Sequence, residues 1–547
     1  MTLLLFVLLM TVLIPFGVQP TGKGREDNKL FSPPKHIVIL LCDALRWDHV
    51  GAYGQKKCHT PNIDSLAKEG LLFKSAHTVC PISSPSYATI FTSQFPFEHG
   101  ITNNAQSLSS VITCLPASLH DRGFHTAAFM SNYYCGSNYG FDRGFDTFKD
   151  LDEVGKHSWT VAEKLLPWLE GWNPKKQPMF LFVSYMDLHE PYSLPYEPRW
   201  LRVRMDGRVV RESACPELEE TLWMQLSIPP GSHKLSFERV LPPLRPWWKP
   251  KYDFTPNLGS SLLKAGVEME PAGDFKDRRE DPRAKMLTWM FEEFPASVTL
   301  KNPTGKTISG ELLIQITRRY DLEEVQTIYP RSVEFLDHEI GRVLDTLRNK
   351  GVLDETLIIL LSDHGEGLGD HGLKMHIEQL YDSLMHVPLI MRYPPLGKEK
   401  VIDDVVSIID LAPTISDMLG QPWSSRFGQS LFPMIRDGGH PERQWVFAET
   451  YPPEAGRRLT SLRTTTAKLI VNHTDKKIEY YDLVKDPSES KNIYSAASPE
   501  VLKAIETYCT LFNLTNPFDE LSAAGKLNLD SLSPEEIQRL KSLGYIK

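Results

Sequence analysis

The sequence predicts an α/β fold with a doubly wound sheet, because short apolar runs alternate with a helical pattern. Continuous apolar runs of this length are typical of strands that are buried on both faces. They predict strands at residues 36–41, 179–185, 356–361 and 387–391. Between the second and third runs, apolar residues recur at helical spacing over 333–347 and predict an amphipathic helix.

The chain begins with an almost unbroken apolar run over residues 3–18, which ends at Gln19 and Pro20. A run of this length fits the core of a signal peptide better than a full bilayer span. However, no Lys or Arg precedes it, and no clean small-residue cleavage pattern follows it. Residues 1–22 are therefore expected to be a signal peptide or an uncleaved N-terminal anchor. Either reading predicts export, to the periplasm or the medium.

The 547 residues are too many for one ordinary core, and two or three domains are expected. The main α/β domain is predicted to comprise 33–199 and 321–435, with Thr60 capping a helix that starts at Pro61. From 200 to 320 the helical pattern fades, and strands with Pro- and Gly-containing turns predict an inserted β-sandwich-like module. Its predicted strands are 201–210, 222–228, 234–240, 296–300 and 312–316.

The inserted module also contains a Pro-rich stretch with Trp247 and Trp248. Packing is the role favoured for this module, and substrate recognition through the two tryptophans is the alternative. Residues 436–547 predict a smaller α+β subdomain, with antiparallel strands at 468–471 and 478–481. A final helix is expected from Ser533, where Ser-Pro-Glu-Glu resembles a capping arrangement.

Charge and cysteine content exclude several classes of protein. A net charge of −9 over this length argues against a general nucleic-acid binder, while a local basic site could still accept an anionic substrate. Seven cysteines without a CxxC pair exclude a disulfide-dense scaffold and disfavour a cysteine-based zinc site. One or two disulfides remain open.

Two carboxylates and one imidazole directly follow predicted strands. Asp43 follows the first strand, and Asp363 and His364 follow the strand at 356–361. If these strands are neighbours, the three side chains meet at the carboxyl edge of the sheet, where α/β sheets place their sites. Two carboxylates with an imidazole suit a divalent metal ion, although each Asp alone would usually be only a helix cap.

Ser83 is the candidate nucleophile. Ser84 can cap a helix whose first residue is Pro85, which leaves Ser83 just ahead of the helix N-terminus. Backbone N–H groups and the helix dipole favour a bound anion there, and contact with a metal ion would activate the hydroxyl. Taken alone, this segment would be an ordinary Ser/Pro turn.

Several motifs in this order resemble the sulfatase family of the alkaline phosphatase-like superfamily. They cover nearly the whole chain except the N-terminal segment and the inserted module. Prominent among them are Asp43-x-Leu45-Arg46, Gly51-x-Tyr53-Gly54, Ser83-x-Pro85-Ser86, His189-Glu190-Pro191-Tyr192, Asp363-His364-Gly365-Glu366 and Gly369-Asp370-His371-Gly372. The resemblance implies a mixed doubly wound sheet and hydrolysis of anionic esters.

The resemblance also implies roles for individual residues. Asp43, Asp363 and His364 resemble metal ligands, and Ser83 resembles the nucleophile that also contacts the metal ion. His189 and His376 resemble groups that bind the anionic group or protonate the leaving oxygen, and Asn132 lies near a substrate-binding Lys of many relatives. One divalent metal ion is expected: Ca²⁺ if the chain is sulfatase-like, Mn²⁺ or Zn²⁺ if it is phosphatase-like.

Two departures from the family pattern bear on the substrate. Sulfatases form formylglycine at a Cys or Ser of a motif that ends in Arg, whereas Tyr87 occupies the Arg position here. Ala44 replaces the second of two paired Asp ligands. An unmodified Ser83 would favour phosphate mono- or diesters or phosphonate esters, because water clears a phosphoserine more readily than a sulfoserine. A true sulfatase with Ser83 converted to formylglycine is the alternative.

Two further alternatives belong to other classes. A non-catalytic family member would bind an anionic glycan or lipid headgroup, and a membrane-anchored transferase would pass a phosphoryl-linked headgroup to another alcohol. The expected partner is a small anionic ester, or a sulfated or phosphorylated glycan or lipid. Nucleic acid is not expected as a partner. A membrane is expected as a partner only if residues 1–22 are retained.

Overall fold

A computed structural model describes residues 31–519 of the chain, except 57, 152–157, 190–199, 215–218, 241–250, 259, 272–276, 282–285, 291–295, 320–321, 378, 453–454 and 497. The segment 1–22, the tryptophans Trp247 and Trp248 and the helix expected from Ser533 lie outside the described residues. Within the described part of the chain, no helix combines the length and apolarity that a bilayer span requires.

Among its described residues, the first half of the α/β domain contains five strands and five α-helices. The strands are β1 (His36–Cys42), β2 (Leu71–His77), β3 (His125–Met130), β4 (Thr147–Asp150) and β5 (Met179–Tyr185). The helices are α1 (Pro61–Lys68), α2 (Ser83–Thr92), α3 (Pro96–His99), α4 (Leu115–His120) and α5 (Ser158–Gly171). As predicted, α1 starts at Pro61 with Thr60 as its N-cap residue.

Ten strands and one short α-helix follow in the part of this segment that the structure describes. They are β6 (Trp200–Met205), β7 (Arg208–Ala214), β8 (Glu219–Ile228), β9 (Gly231–Val240), β10 (Lys251–Leu258), α6 (Ser260–Lys264), β11 (Glu268–Pro271), β12 (Asp277–Asp281), β13 (Met286–Met290), β14 (Ala296–Asn302) and β15 (Ile308–Arg319). They form two five-stranded antiparallel sheets, ordered β12-β13-β10-β15-β8 and β11-β14-β9-β6-β7. Val203, Phe237, Val298 and Leu312 belong to a separate buried core there.

The single strand predicted at 201–210 was wrong. The structure has a hairpin of β6 and β7 instead, turning at Asp206 and Gly207, which both have positive φ (49° and 82°). Asp-Gly is a preferred pair for a tight hairpin turn with this backbone geometry. The sequence therefore carried the signal, but the apolar residues on either side were interpreted as one run.

The second half of the chain completes the main sheet and adds a small sheet. The elements are α7 (Leu322–Asn349), β16 (Thr356–Leu361), α8 (Asp382–Met385), β17 (His386–Arg392), β18 (Lys400–Ser407), α9 (Leu411–Met418), α10 (Phe432–Asp437), β19 (Val446–Thr450), β20 (Leu459–Arg463), β21 (Ala467–Asn472), β22 (Lys477–Asp482) and α11 (Pro499–Leu511). Strands β19 to β22 form an antiparallel four-stranded sheet in sequential order. The two antiparallel strands predicted near the C-terminus are β21 and β22.

The main sheet has eight strands in the order β18-β2-β17-β16-β1-β5-β3-β4. β1 pairs in parallel with β16 on one side and β5 on the other, while β17 runs antiparallel to both of its neighbours. Residues of α1, α5 and α7 share a buried cluster with Val38 and Leu40 of β1. On the other face, Tyr87 and Phe91 of α2 contact Phe182 of β5. The predicted fold class, a mixed doubly wound sheet with additional antiparallel sheets, is confirmed.

Candidate active site

The ends of β1 and β16 bring the first candidate residues together. Leu41 and Leu361 are paired in register, so Asp43 and Asp363 leave the sheet side by side. The hydroxyl of Ser362 donates to the carbonyl of Cys42 (2.6 Å) and accepts from the amide of Leu45 (2.9 Å). This side chain joins the two strand ends and positions both Asp residues.

Asp43, Asp363 and His364 form a compact buried group. One candidate ligand atom from each residue lies within 4.8 Å of those of the other two, and all three side chains are fully buried. His364 Nε2 is 3.4 Å from Asp363 Oδ2 and 3.7 Å from Asp43 Oδ1. Neither of these two carboxylate oxygens accepts a hydrogen bond from any residue that the structure describes.

The electrostatics of this group favour a cation. Burial, and after it the carboxylate of Asp43, raises the pKa of Asp363 well above its ordinary value. For Asp43, burial would raise the pKa, but nearby histidines and a hydrogen bond from Asn132 lower it. Two buried carboxylates with unpaired oxygens are costly unless a positive charge neutralises them. The donor set of carboxylate oxygens and one imidazole therefore fits a divalent metal ion.

Ala44 takes the place of a potential further carboxylate and shapes the turn instead. It is buried and has a positive φ of 61°, which is uncommon for a residue with a Cβ. Its amide points to Asp363 Oδ1 at 3.3 Å, and its carbonyl accepts from the hydroxyl of Tyr329 at 2.6 Å. The turn thus supplies a backbone N–H to Asp363, where a second Asp would have added negative charge.

Ser83 lies directly against the carboxylate–imidazole group. Its Oγ donates to Asp43 Oδ2 at 3.3 Å and lies 3.3 Å from His364 Nε2. The helix start expected at Pro85 was wrong by two residues, because α2 begins at Ser83 itself. Ser84 does not act as its cap; its hydroxyl donates to the carbonyl of Tyr134 at 3.0 Å. Ser83 is therefore in the first turn of the helix, where the dipole still favours negative charge.

Three histidines line one side of the site. The ring of His376 stacks on that of His364 with centroids 4.2 Å apart, and His189 meets His376 edge-on at 4.7 Å. His376 Nδ1 lies 3.2 Å from Oε2 of the buried Glu366. This carboxylate fixes the orientation of the imidazole and leaves its Nε2 for other partners. His371, in contrast, stacks on Tyr381 at 3.8 Å, outside this group.

Glu366 was missed as a site residue by sequence reasoning. It is the last residue of the Asp363-His364-Gly365-Glu366 motif, and its spacing from His364 was the available signal. Arg46 was also missed. Its guanidinium donates to the carbonyls of Glu366 and Gly367 and pairs with Asp48 and Asp370. Arg46 therefore attaches the loop that carries His376 to the turn after β1.

Asn132 is also brought to the site, although its contact differs from the expected one. It follows β3, is 2% exposed, and its Nδ2 donates to Asp43 Oδ2 at 2.9 Å. Its Oδ1 accepts from the amide of Tyr134 at 3.0 Å. Asn132 thus supports Asp43 directly, and binding of substrate by its amide stays a prediction.

Tyr87 occupies the position where sulfatases have Arg. It is fully buried, and its hydroxyl is 2.7 Å from Oγ of Ser184 on β5. Burial raises its pKa well above the ordinary value, so it remains neutral. Tyr87 therefore packs α2 against the sheet and supplies no positive charge next to Ser83.

A second group of potential ligands lies elsewhere in the described residues: His77, Asp382 and His386. The two imidazoles stack with centroids 4.9 Å apart. Asp382, however, already accepts from Lys468 Nζ (2.8 Å) and Arg463 Nε (3.1 Å). Two cations already neutralise this carboxylate and would repel a third. The group around Ser83 is therefore the better candidate for a metal site.

The fold and the residues grouped around Ser83 define an ester hydrolase of the alkaline phosphatase-like superfamily. The model of the sulfatase family matches residues 35–421, well over half of the chain. A second family model, the C-terminal part of N-sulphoglucosamine sulphohydrolase, matches residues 369–509. The chain therefore belongs to the sulfatase family.

Curated relatives match over most of their length. The chain is 25% identical over 513 residues to an N-acetylglucosamine-6-O-sulfatase of Bacteroides thetaiotaomicron, covering 89% of this chain and 87% of the relative. It is 26% identical over 483 residues to an arylsulfatase of Clostridium perfringens, covering 84% of this chain and 90% of that relative. These relatives identify the chain as a sulfatase-like ester hydrolase.

Solved structures show the same fold. One of them, in complex with its substrate D-glucosamine-2-N,6-O-disulfate, superposes with a TM-score of 0.60 at 19% identity, covering 89% of this chain and 100% of that one. The phosphonate monoester hydrolase of Agrobacterium radiobacter superposes with a TM-score of 0.58 at 19% identity, covering 88% of this chain and 95% of that one.

Proposed function

We propose that this protein is a metal-dependent hydrolase that removes sulfate from glycans, with residue 83 as its nucleophile. One observation carries the proposal: Ser83 Oγ lies 3.3 Å from both Asp43 Oδ2 and His364 Nε2. The substrate class rests on the relatives, which include an N-acetylglucosamine-6-O-sulfatase.

Asp43, Asp363 and His364, with Ser83, are the residues that would hold one divalent metal ion. Such an ion lowers the pKa of an adjacent hydroxyl and neutralises the anionic oxygens of an ester. The unpaired oxygens of Asp43 and Asp363 support its presence, because both carboxylates can then be ionised. Ca²⁺ is the ion expected for a sulfatase, and Mn²⁺ or Zn²⁺ for a phosphatase.

The remaining residues have distinct tasks in this proposal. Asp43 orients Ser83 through the hydrogen bond that its Oδ2 accepts, and Asn132 holds that same carboxylate. His189 and His376, which lie next to His364, bind the equatorial oxygens or protonate the departing alcohol. Glu366 fixes the ring of His376 for this task.

The chemical state of residue 83 decides how the covalent group is released. A formylglycine hydrate attacks sulfur with one hydroxyl, and its second hydroxyl then collapses to the aldehyde and breaks the C–O bond to sulfate. An unmodified serine has no second hydroxyl, so water must attack the covalent group itself. Because water removes a sulfoserine slowly, efficient turnover of sulfate esters favours conversion of Ser83 to formylglycine.

Hydrolysis of phosphate or phosphonate esters is the second candidate function. Tyr87 favours it, because the motif for formylglycine formation ordinarily ends in Arg, and Tyr87 is a buried packing residue here. A phosphoserine at residue 83 can be cleared by water when a cation neutralises its oxygens. The fold is compatible with this chemistry, as the likeness to a phosphonate monoester hydrolase indicates.

Mass spectrometry of the peptide that contains residue 83, together with a pair of substrates, tests the proposal. The protein is purified from its native host and assayed with N-acetylglucosamine 6-sulfate and with an aryl phosphonate monoester. An aldehyde at residue 83 with release of sulfate supports the sulfatase. Unmodified serine with turnover of the phosphonate only supports the second candidate. If the metal-loaded protein turns over neither ester, both are wrong.

Export of the chain is a further proposal, which rests on the apolar run at residues 3–18. Cell fractionation combined with N-terminal sequencing of the mature protein tests it. Recovery of the chain in the cytoplasm with residues 1–22 intact would contradict it.

A further inference from the structure

Three tyrosine side chains form a cluster next to the candidate nucleophile. They are Tyr133, Tyr134 and Tyr139, on two short 3₁₀ turns that follow β3 and Asn132. Tyr133 meets both partners edge-on, with centroids 5.4 Å from Tyr134 and 5.7 Å from Tyr139, while Tyr134 and Tyr139 are 6.1 Å apart. We call this group the tyrosine cluster.

The tyrosine cluster is exposed although it is apolar for the most part. Tyr133 is 49% exposed and Tyr134 is 41% exposed, whereas Tyr87 and Tyr185 are fully buried. A contiguous group of exposed aromatic side chains is uncommon on a protein surface unless it binds something. Its edges carry hydroxyl groups, which suits a ligand that has both apolar and polar faces.

Hydrogen bonds place the tyrosine cluster at the site. The carbonyl of Tyr134 accepts from the hydroxyl of Ser84, the residue next to Ser83, at 3.0 Å. The amide of Tyr134 donates to Asn132, whose other amide atom holds Asp43. One residue of the cluster is thus connected to both the nucleophile segment and a candidate metal ligand.

The loop that carries the tyrosine cluster, residues 133–139, is also fixed by hydrogen bonds to other segments of the chain. Ser137 bonds through its amide (3.1 Å) and its hydroxyl to Asp150 at the end of β4. The carbonyl of Tyr139 accepts from the amide of Leu108 at 2.8 Å. A loop fixed at four points presents its rings without a large loss of conformational entropy on binding, which is how rigid aromatic side chains contribute affinity.

We propose that the tyrosine cluster is a sugar-binding subsite, which stacks against the pyranose ring that carries the scissile ester. This inference rests on the proposed function and specifies its substrate: the ester binds at Ser83 and the sugar ring lies on Tyr133 and Tyr134. The axial C–H face of a pyranose packs on aromatic rings, and its hydroxyls can bond to the phenol oxygens. Binding energy gained on this non-reacting part positions the ester for attack.

Binding to the Ser83→Ala variant tests the subsite without requiring turnover. The ligands are N-acetylglucosamine 6-sulfate, unesterified N-acetylglucosamine and inorganic phosphate, measured by calorimetry or saturation-transfer NMR. Adding Tyr133→Ala or Tyr134→Ala is expected to weaken the binding of both sugars about tenfold, or about 1.4 kcal/mol. The affinity for phosphate should stay unchanged. Tyr134→Phe should keep most of the affinity, because it keeps the ring.

Tyr494→Ala is the matched control, since Tyr494 is 37% exposed and lies beyond β22. Unchanged sugar binding in both tyrosine variants would overturn the subsite. An equal loss of affinity for sugar and for phosphate would also overturn the subsite, because the cluster would then only support the loop. If the wild-type protein hydrolyses no ester while the variants still lose sugar binding, the proposed function fails and the subsite stands.

Discussion

Ser83 and its neighbours behave as one unit at the scale of single residues. Its Oγ touches a carboxylate and an imidazole that are both fully buried. Asn132 holds the carboxylate of Asp43, and Glu366 holds His376, which stacks on the imidazole of His364. Several of these contacts join segments far apart in the chain, such as Ser83 and His364, which are separated by 281 positions. Each member can therefore be tested by a substitution that removes one atom group.

Ser83→Ala removes the oxygen proposed as the nucleophile and little else. Turnover should fall by at least about a thousandfold, since groups that act in covalent catalysis typically contribute that much or more. The melting temperature should change by no more than a few degrees, because only one small, buried hydroxyl is lost. Steady-state kinetics with the preferred ester and a thermal melt measure the two effects. Activity equal to that of the wild type would exclude residue 83 as the nucleophile.

Asn132→Leu separates two roles for this amide. Because Asn132 Nδ2 donates to Asp43 Oδ2, its loss should weaken binding of a divalent cation by about ten- to a hundredfold. Titration of the metal-free protein with Ca²⁺ or Mn²⁺ measures this affinity. A variant with normal metal affinity and only a raised KM would instead support the substrate-binding role expected from the family resemblance.

At the scale of secondary structure elements, close packing around Gly365 holds the end of β16 in place. A Cβ on Gly365 would lie 2.1 Å from the carbonyl oxygen of Ser383, and the Gly365 amide donates to the carbonyl of Leu384. The segment that carries His364 therefore runs directly against α8. Any side chain here must displace one backbone segment or the other.

Gly365→Ala is expected to reduce stability by about 2 kcal/mol or more and to lower activity further, because His364 moves with the backbone. Gly171→Ala, at the end of α5, is the control, since a Cβ there meets nothing within 4 Å. Chemical denaturation and kinetics on both variants measure the effect. Equal behaviour of the two variants would contradict this account of the packing.

Glu98 makes the start of α3 sensitive to pH. Burial raises its pKa from 4.5 to about 7, although the Phe95 amide and Arg426 oppose the shift, and Glu449 adds to it. A carboxyl whose pKa is raised in the folded state contributes its full stabilisation of the fold below pH 4.5. That stabilisation is lost as the pH rises from 4.5 through 7. Glu98→Gln should therefore differ little from the wild type at pH 5 and be more stable by about 2 to 3 kcal/mol at pH 8.

Denaturant unfolding of both proteins at the two pH values measures this difference. Glu98 Oε2 accepts a hydrogen bond from the Phe95 amide at 2.9 Å, and glutamine can accept the same bond through its carbonyl oxygen. The comparison thus isolates the charge. A wild-type protein that gains stability over Glu98→Gln on going from pH 5 to pH 8 would show that the shift has the opposite sign.

The sequence predicted strands better than it predicted contacts between them. The apolar runs at 179–185 and 356–361 correspond residue for residue to β5 and β16, because strands buried on both faces leave an uninterrupted hydrophobic signal. The grouping of Asp43 with Asp363 followed from their positions at strand ends. Arg46 and Glu366 were missed, since their importance lies in hydrogen bonds to segments that periodicity does not pair.

At the scale of the whole molecule, the candidate metal group couples ligand binding to stability. The buried carboxylates of Asp43 and Asp363 repel each other in the absence of a cation, and only the folded state brings them together. A metal ion at a hundredfold excess over its Kd would add about 2.7 kcal/mol. Chelation should therefore lower the melting temperature by roughly 2 to 3 °C, and added metal should restore it.

Asp43→Asn provides the control for chelation, because it removes one of the two charges. Its melting temperature should respond much less to a chelator than that of the wild type. Calorimetry on both proteins, before and after treatment with EDTA, measures the response without reference to activity. A wild-type melting curve that neither chelator nor Ca²⁺, Mn²⁺ or Zn²⁺ displaces would contradict the assignment of a metal site.

The position of β1 in the middle of the sheet has a consequence for synthesis. One neighbour, β5, leaves the ribosome within the first half of the chain, but the other, β16, is made only after the two inserted sheets. At about 10 residues per second, the nascent chain carries an unpaired edge on β1 for roughly 15 to 20 seconds after β5 is complete. Chaperones or an unfolded export route must protect that edge, and no truncated product that stops before β16 can become an active enzyme.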